Sequence, residues 1–392
     1  MSLVEDLEQI LDVIVRIDPS FQAVEPGIVE ACIRDVRRDA LAEKEGEFLL
    51  SAMRLLALPA NGHTRLIPND AISVLPLRFV TVGKSVLLTK SGAVPSNSPI
   101  RKLIAVNGIP VEQVEAAAQS YLAGTPQRKR VVGPILLSWP LALSHLGAAS
   151  SGDTTSYLMQ DAEGQADTMV VDNSNTVPAS QLYPRNEHGQ MDPVWHFKTL
   201  ADIAVWPGIG LSVCLPSFLE TDDNQLSRSI AKAAARLRSY AAVPLLIDVR
   251  GNTGGDFLKT LPLIDAIAES SNKRRCAVLV DKFTFSAAIV FVAILKHRLG
   301  RNLVLVGEEM GDGLKFFAEG GSVVLPSSGA VVRYSTALHD WASGSIDRTT
   351  PPEVAEQILK VGKLEIDRHW TASPQHVESP AETYQRILRE LH

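Results

Sequence analysis

The stretch PLLIDVRGNTGGDFLKTLPLIDAIAES, residues 244–270, decides the fold. Its opening, Leu245-Leu246-Ile247, is apolar without alternation, as a strand covered on both faces must be. A glycine-rich turn follows at Gly251, Gly254 and Gly255, and then a run that predicts a helix over 256–270. The same succession continues on both sides. Upstream, IGLSVCLPSF (209–218) predicts a strand, and NQLSRSIAKAAARLRSY (224–240) predicts a helix with Leu226, Ile230, Ala233 and Leu237 on one side. Downstream, CAVLVD (276–281) and LVLVG (303–307) predict strands around the helix SAAIVFVAILKHRLG (286–300). Short apolar strands separated by helices predict an α/β fold with a mostly parallel sheet and flanking helices.

Away from this centre the pattern changes. Residues 4 to about 58 are helical by period, with Leu7, Ile10, Leu11 and Ile14 on one stripe and Phe48, Leu49, Met53, Leu56 and Ala57 on another. LRFVTVG (77–83) and SVLLTK (85–90) read as strands, followed by a turn-rich stretch at 91–99. IRKLIAVNGIPV (100–111) reads as a strand, a tight Asn107-Gly108 turn and a helix beginning near Val111. SYLMQD and DTMVVD read as a hairpin around Glu163-Gly164, and SVVLP and AVVRYS as another after Gly313. The expected organisation is an N-terminal helical section (1–60), a small β-rich module (61–130), an α/β core (131–350) and a mostly helical tail (351–392).

Composition narrows the functional classes. A net charge of −6 gives no electrostatic reason to expect nucleic acid or an anionic membrane as partner. The clusters Arg128-Lys129-Arg130 and Lys273-Arg274-Arg275 read as solvated loop charges. Three widely spaced cysteines, Cys32, Cys214 and Cys276, argue against a disulfide framework and against zinc, so no metal or other cofactor is expected. No apolar run is long enough for a stable membrane span. The acidic start MSLVEDLEQILDVIV does not read as a signal peptide. The expected compartment is the cytoplasm, or the periplasm or exterior if Met1-Ser2-Leu3 replaces a removed signal.

Three features carry chemistry. Arg250-Gly251-Asn252-Thr253-Gly254-Gly255-Asp256 lies between a buried strand and a helix, where glycines let backbone amides approach an anion or simply close a tight turn. It is neither a Walker loop nor a dinucleotide fingerprint. Thr284-Phe285-Ser286-Ala287-Ala288 lies at the next such junction, where Ser286 reads either as a helix cap or as a site residue at the carboxyl edge of the sheet. Asn61-Gly62-His63-Thr64 stands where the helical section gives way to strands.

In their order and spacing these features resemble the S41 peptidase superfamily: the tail-specific (C-terminal-processing) proteases, the tricorn core and the retinoid-binding-protein-like relatives. The resemblance rests on Ile247-Asp248-Val249-Arg250-Gly251-Asn252-Thr253-Gly254-Gly255, on Val280-Asp281-Lys282-Phe283-Thr284-Phe285-Ser286-Ala287, and on Val306-Gly307-Glu308-Glu309-Met310-Gly311. It covers roughly 195–345 and extends to Asn61-Gly62-His63-Thr64, which looks like the Asp-Gly-His-Thr element of the tricorn-like branch. Ile104-Ala105-Val106-Asn107-Gly108-Ile109-Pro110-Val111 is similar to an element of the PDZ-like module in these proteins.

The resemblance implies a ClpP/crotonase-like core and a serine peptidase acting on unstructured polypeptides or C-terminal tails. Ser286 would be the acylating nucleophile, with an oxyanion hole from amides at Gly254 or Gly255 and at Ala287. His63 would be the general base, as in the tricorn-like branch. The alternative base is Lys315, 29 residues past Ser286, beyond the place where the tail-specific branch has its lysine and where Asp312 stands here. Ile289 replaces a frequent Glu, Met310 a Thr, and Gly62 the Ser that precedes the His in the tricorn-like branch. The group orienting His63 stays open among Glu308, Glu309, Asp340 and Asp347. The competing readings are a non-catalytic peptide- or lipophile-binding relative and a crotonase-like acyl enzyme. The implied partner is a peptide or unfolded protein, with the oligomeric state left open.

Overall fold

The computed structural model of the chain describes residues 2–68, 71–91, 101–182, 201–220, 223–240, 243–269, 274–370 and 380–391. Most of the turn-rich stretch at 91–99 and Lys273 lie outside the described residues. The chain forms two compact units, Met1–Arg185 with Phe317–Ala337, and Asn186–Phe316 with Leu338–His392.

The first unit opens with the helices Leu3–Asp12, Pro26–Leu41 and Glu45–Ala57, where the apolar stripes place them. Leu7, Ile10, Ile14, Phe48, Leu49 and Leu56 are buried together in one core. An antiparallel sheet runs Leu77–Val82, Ser85–Ser91, Arg101–Val106, Thr154–Gln160, Ala166–Asp172. Asn107 and Gly108 take φ of +49° and +80°, the pair of positive values that a tight two-residue hairpin turn requires. Ile109 and Pro110 then pair back onto Val106 and Ala105, and the helix Val111–Ala118 begins where the sequence places it. The hairpin around Glu163-Gly164 forms with Gln160 opposite Ala166. This sheet therefore continues past residue 130, where the sequence reading draws a boundary. A second, three-stranded sheet orders Arg65–Ile67, Val331–Arg333 and Ser322–Val324. The hairpin expected after Gly313 thus forms, and the strand beside His63 pairs with it.

The second unit is built on a six-stranded sheet ordered Ile203–Trp206, Gly210–Cys214, Leu245–Asp248, Cys276–Val280, Leu303–Gly307, Arg368–His369. The first pair is antiparallel and the four other pairings are parallel. Leu245–Asp248 and Cys276–Val280 are buried along their whole length, which is why they lack alternation. Helix Gln225–Ser239 buries Leu226, Ile230, Ala233 and Leu237. Helix Ala287–Leu299 buries every residue from Ala287 to Leu295, the position that an apolar helix without a polar face must take.

Three expectations are corrected. The helix drawn over 256–270 begins as a 3-10 turn, Phe257–Thr260, and becomes α-helical at Leu261–Glu269. Pro262 has no N–H to continue a preceding turn, so it fits the first turn of the α segment and nowhere later. The tail is not only helical: Arg368–His369 adds a parallel strand against Val306–Gly307, and a helix, Pro380–Glu390, packs Ile387 and Leu388 with Leu246, Ala277 and Leu279. The basic clusters are not simply solvated. Arg128 and Arg274 are buried, Lys129 Nζ donates to the Gln119 carbonyl (2.7 Å), and burial depresses Arg274 below the usual arginine value. Long aliphatic stems let such side chains cover apolar surface while the nitrogens find carbonyls.

Among the described residues no helix is long and apolar enough to cross a membrane.

Candidate active site

In the second unit, two loops leave adjacent parallel strands at their carboxyl ends. The first follows Leu245–Asp248 and carries Arg250–Gly255. The second follows Cys276–Val280 and carries Lys282–Ser286. They are tied together by a dense set of hydrogen bonds. Phe285 N donates to the Asn252 carbonyl (3.0 Å), and Thr284 Oγ1 donates to the Val249 carbonyl (3.1 Å). Buried Asp281 accepts from Gly251 N at 3.1 Å, and from Phe283 N and Thr284 N at 3.0 Å each. One carboxylate thus fixes the shape of both loops. Burial pushes the Asp281 carboxyl up to about 6, against the Gly251 amide and the charges of Arg250 and Lys282, which pull it down. Asp248 acts similarly one residue layer deeper. It accepts from Arg250 Nη2 (2.6 Å) and Tyr384 Oη (2.7 Å), so the guanidinium is committed to that carboxylate.

Ser286 is where the second loop ends. Its backbone has φ +56° and ψ −128°, a conformation that a side chain normally avoids. Its side chain makes no capping hydrogen bond to the helix that follows, so the cap reading does not account for it. The residue is half-buried between buried Phe285 and buried Ala287. Gly254 lies directly against it: a Cβ at Gly254 would fall 2.7 Å from Ser286 Cβ and 3.1 Å from Ala287 N. That approach, with φ +106° at Gly254, requires glycine. Gly255, at φ +136°, lies against the backbone of Phe218 and Leu219, leaving no room for a side chain. The Gly254 amide donates to Asn252 Oδ1 (2.9 Å). The amides of Gly255 and Ala287 have no acceptor among the described residues.

The Gly-Glu-x-x-Gly element follows the same logic. Gly307 approaches the Val280 carbonyl closely, Glu308 N donates to that carbonyl (3.2 Å), and Gly311 N donates to the Thr284 carbonyl (2.9 Å). These glycines lay the third strand's loop against the one that carries Ser286.

The other expected residues are placed as follows. Lys315 is exposed, with Nζ 3.4 Å from Asp340 Oδ2. A lysine base needs desolvation, which an exposed ion pair does not supply. Among the orienting candidates, Asp340 is taken by Lys315 and by Ser343 N, Glu308 lies 3.6 Å from Lys282 Nζ, Asp347 closes an exposed turn on Thr349, and Glu309 is exposed. Ile289 is buried in the helix core, where a Glu would have to be paired.

His63 belongs to the first unit and Ser286 to the second. His63 sits in a turn closed by Thr64 N to the Asn61 carbonyl (3.1 Å). Asn61 Nδ2 donates to Thr64 Oγ1 (3.0 Å) and to Ser335 Oγ (2.9 Å). Thr64 Oγ1 donates to Asp18 Oδ2 (2.5 Å). Sequence reasoning finds the turn but not Asp18 or Ser335, which lie 46 and 271 residues from Thr64. Among the described residues no cluster of His, Cys, Asp or Glu could hold a metal.

Neither a family model nor a curated protein matches the sequence. Solved structures do. Mature CPAF superposes with a TM-score of 0.61 at 11% identity, over 99% of this chain and 97% of that one. CPAF complexed with lactacystin gives 0.61 at 12% identity over 99% and 98%. The photosystem II D1 C-terminal processing protease also matches, at a TM-score of 0.41 and 17% identity over 99% and 96%. What the CPAF structures show in common with this chain is the fold.

Proposed function

We propose that the chain is a serine peptidase that hydrolyses unstructured polypeptides or C-terminal tails through an acyl-enzyme on Ser286. The observation that carries this reading is the local geometry of Ser286. A half-buried hydroxyl with no capping partner sits on a backbone of φ +56°, pressed against a glycine turn, at the head of a buried helix. Strain of this kind costs about 1–3 kcal/mol and persists where the surroundings enforce it, most often at reactive centres. In this reading His63 removes the hydroxyl proton as Ser286 attacks the carbonyl, then returns it to the leaving amine. The amides of Ala287 and of the Gly254-Gly255 turn receive the oxyanion. Gly255 is the better donor of the two, since the Gly254 amide already serves Asn252. The core is a ClpP/crotonase-like sheet, and the sheet around 77–106 with helix Val111–Ala118 is a PDZ-like module for the substrate chain. The fold shared with CPAF supports the same class of activity, and lactacystin, captured on CPAF, is a ready probe here.

The test is turnover of unstructured peptides, and labelling by a fluorophosphonate and by lactacystin, with thermal melts alongside. Ser286→Ala and His63→Ala should each abolish turnover, and Ser286→Ala should change melting little, since a lost hydroxyl costs only about 1 kcal/mol even where it caps a helix. Lys315→Ala should stay close to wild type. A wild-type chain that binds peptides, hydrolyses none and does not label would instead be a binding protein on this fold. Loss of activity in Lys315→Ala with His63→Ala active would move the base to Lys315.

A further inference from the structure

We propose that Asp18 is a positioning residue for His63, acting through both ends of the turn that carries it. The inference rests on the reading of His63 as the base. Asp18 follows the helical turn Val13–Ile17 and is 3% exposed. Among the described residues no Lys, Arg or His nitrogen pairs with its carboxylate. Four hydrogen-bond donors do. Oδ1 accepts from Ser20 N (2.9 Å) and Ser20 Oγ (2.6 Å), and Oδ2 from Thr64 Oγ1 (2.5 Å) and Ser335 N (2.9 Å). A buried carboxylate without a counter-charge is tolerated only when its lone pairs are filled in this way.

The pattern of donors shows what the carboxylate holds. Thr64 is the residue after His63. Its hydroxyl, while donating to Asp18, accepts from Asn61 Nδ2, and Asn61 Nδ2 also reaches Ser335 Oγ. Both ends of the Asn61–Thr64 turn are therefore pinned to one anion and one serine. Ser335 is itself fixed from the same N-terminal section. It ends the hairpin of 322–333, whose turn amides Ser327 N and Ser328 N donate to buried Asp6 at 2.7 and 2.9 Å. Thr64 carries no side-chain freedom in this arrangement, and the backbone on either side of His63 is held by these bonds. In Asp18→Asn the amide NH₂ must face either Ser20 N–H, which unseats residue 18 itself, or Ser335 N–H, which opens the clamp on the turn directly.

The experiment uses the full chain as wild type, Asp18→Asn, Thr64→Val, His63→Ala and the Asp18→Asn/His63→Ala double variant. It measures kcat and KM on an unstructured peptide and the rate of fluorophosphonate labelling. Asp18→Asn should lower kcat about 10- to 100-fold, the scale of a small displacement of a catalytic group, while KM stays within about twofold. Thr64→Val should shift kcat in the same direction, and it carries the test alone if Asp18→Asn does not fold. Asp18→Asn should cost nothing further in labelling rate when His63 is already Ala. Wild-type kcat in Asp18→Asn and Thr64→Val, with His63→Ala inactive, overturns the inference and leaves the base assignment standing. An equal further loss in the double variant also overturns it, since the residue then acts on the fold at large. If His63→Ala keeps full activity, the base assignment fails and this inference fails with it.

Discussion

Gly254 and Ser286 illustrate how far one missing atom shapes this site. The two residues come from different loops, and only the absence of a Cβ lets them meet at the observed separation. Gly254→Ala should therefore do two things at once. The positive φ makes an alanine there cost about 1–3 kcal/mol. The new methyl, 2.7 Å from Ser286 Cβ, must push the serine or the helix start aside, and a shift near 1 Å costs about 100-fold in rate. Peptide turnover and a thermal melt on the same sample check both. A Gly254→Ala chain with wild-type turnover would mean that Ser286 does no chemistry, whatever its backbone conformation.

Asp281 gives the site a pH dependence whose sign is fixed. The carboxyl is at about 6 in the fold against an ordinary 3.8, with burial as the main cause. Between those values the folded chain holds a proton that the unfolded chain has lost. The contribution of this group to stability is therefore fully present below 3.8 and is lost as pH rises through about 6. Asp281→Asn cannot titrate, so its melting temperature relative to wild type should improve as pH rises from 4 toward 7. Melts of the two proteins at several pH values read this directly. Parallel curves would show that Asp281 does not titrate in that window.

At the scale of elements, legibility in the sequence follows burial and sequence distance. Leu245–Asp248, Cys276–Val280 and Leu303–Gly307 are readable because a strand covered on both faces has to be apolar throughout. The Asn107-Gly108 hairpin is readable because few residue pairs tolerate two positive φ values in succession. Arg368–His369 is not readable. Two exposed residues carry no period, and their strand exists only because Val306 and Gly307 offer an edge. The strand Arg65–Ile67 is hidden likewise, since its partner Val331–Arg333 lies more than 250 residues on. The site divides along the same line. The glycines and Ser286 sit in short motifs with a mechanical reason for each residue. Asp18, Asp281 and Ser335 act as hydrogen-bond hubs, and nothing in the spacing of an acid or a serine announces that role. The family resemblance supplied His63, which no local pattern separates from an ordinary loop histidine.

At the scale of the whole molecule, the chain leaves the second unit at Phe316, contributes residues 317–337 to the first, and returns at Leu338. That short insertion carries a large share of the first unit's order. It supplies Leu325, Ala330 and Val332 to the buried core, the strand beside Arg65–Ile67, both amides that donate to Asp6 and one of the four donors to Asp18. Leaving a buried carboxylate without its donors costs at least about 1–3 kcal/mol, and each buried Val or Leu lost about 1.5–3 kcal/mol. Together these approach the whole stability of a typical domain, about 5–15 kcal/mol. Strands Lys315–Ala318 and Ala337–Asp340 pair with one another, so a short glycine linker can join 316 to 338 on these neighbouring strands, at the cost of Phe317, Ala318 and Ala337 from their ends. In that variant, amide hydrogen exchange should accelerate across Leu3–Asp12 and Arg65–Ile67. Leu245–Asp248, Cys276–Val280 and Leu303–Gly307 should keep their protection, because none of their partners lies in the excised segment. Unchanged exchange at Leu3–Asp12 would show that the first unit does not depend on the insertion. Loss of protection in the parallel strands as well would show that the two units unfold as one.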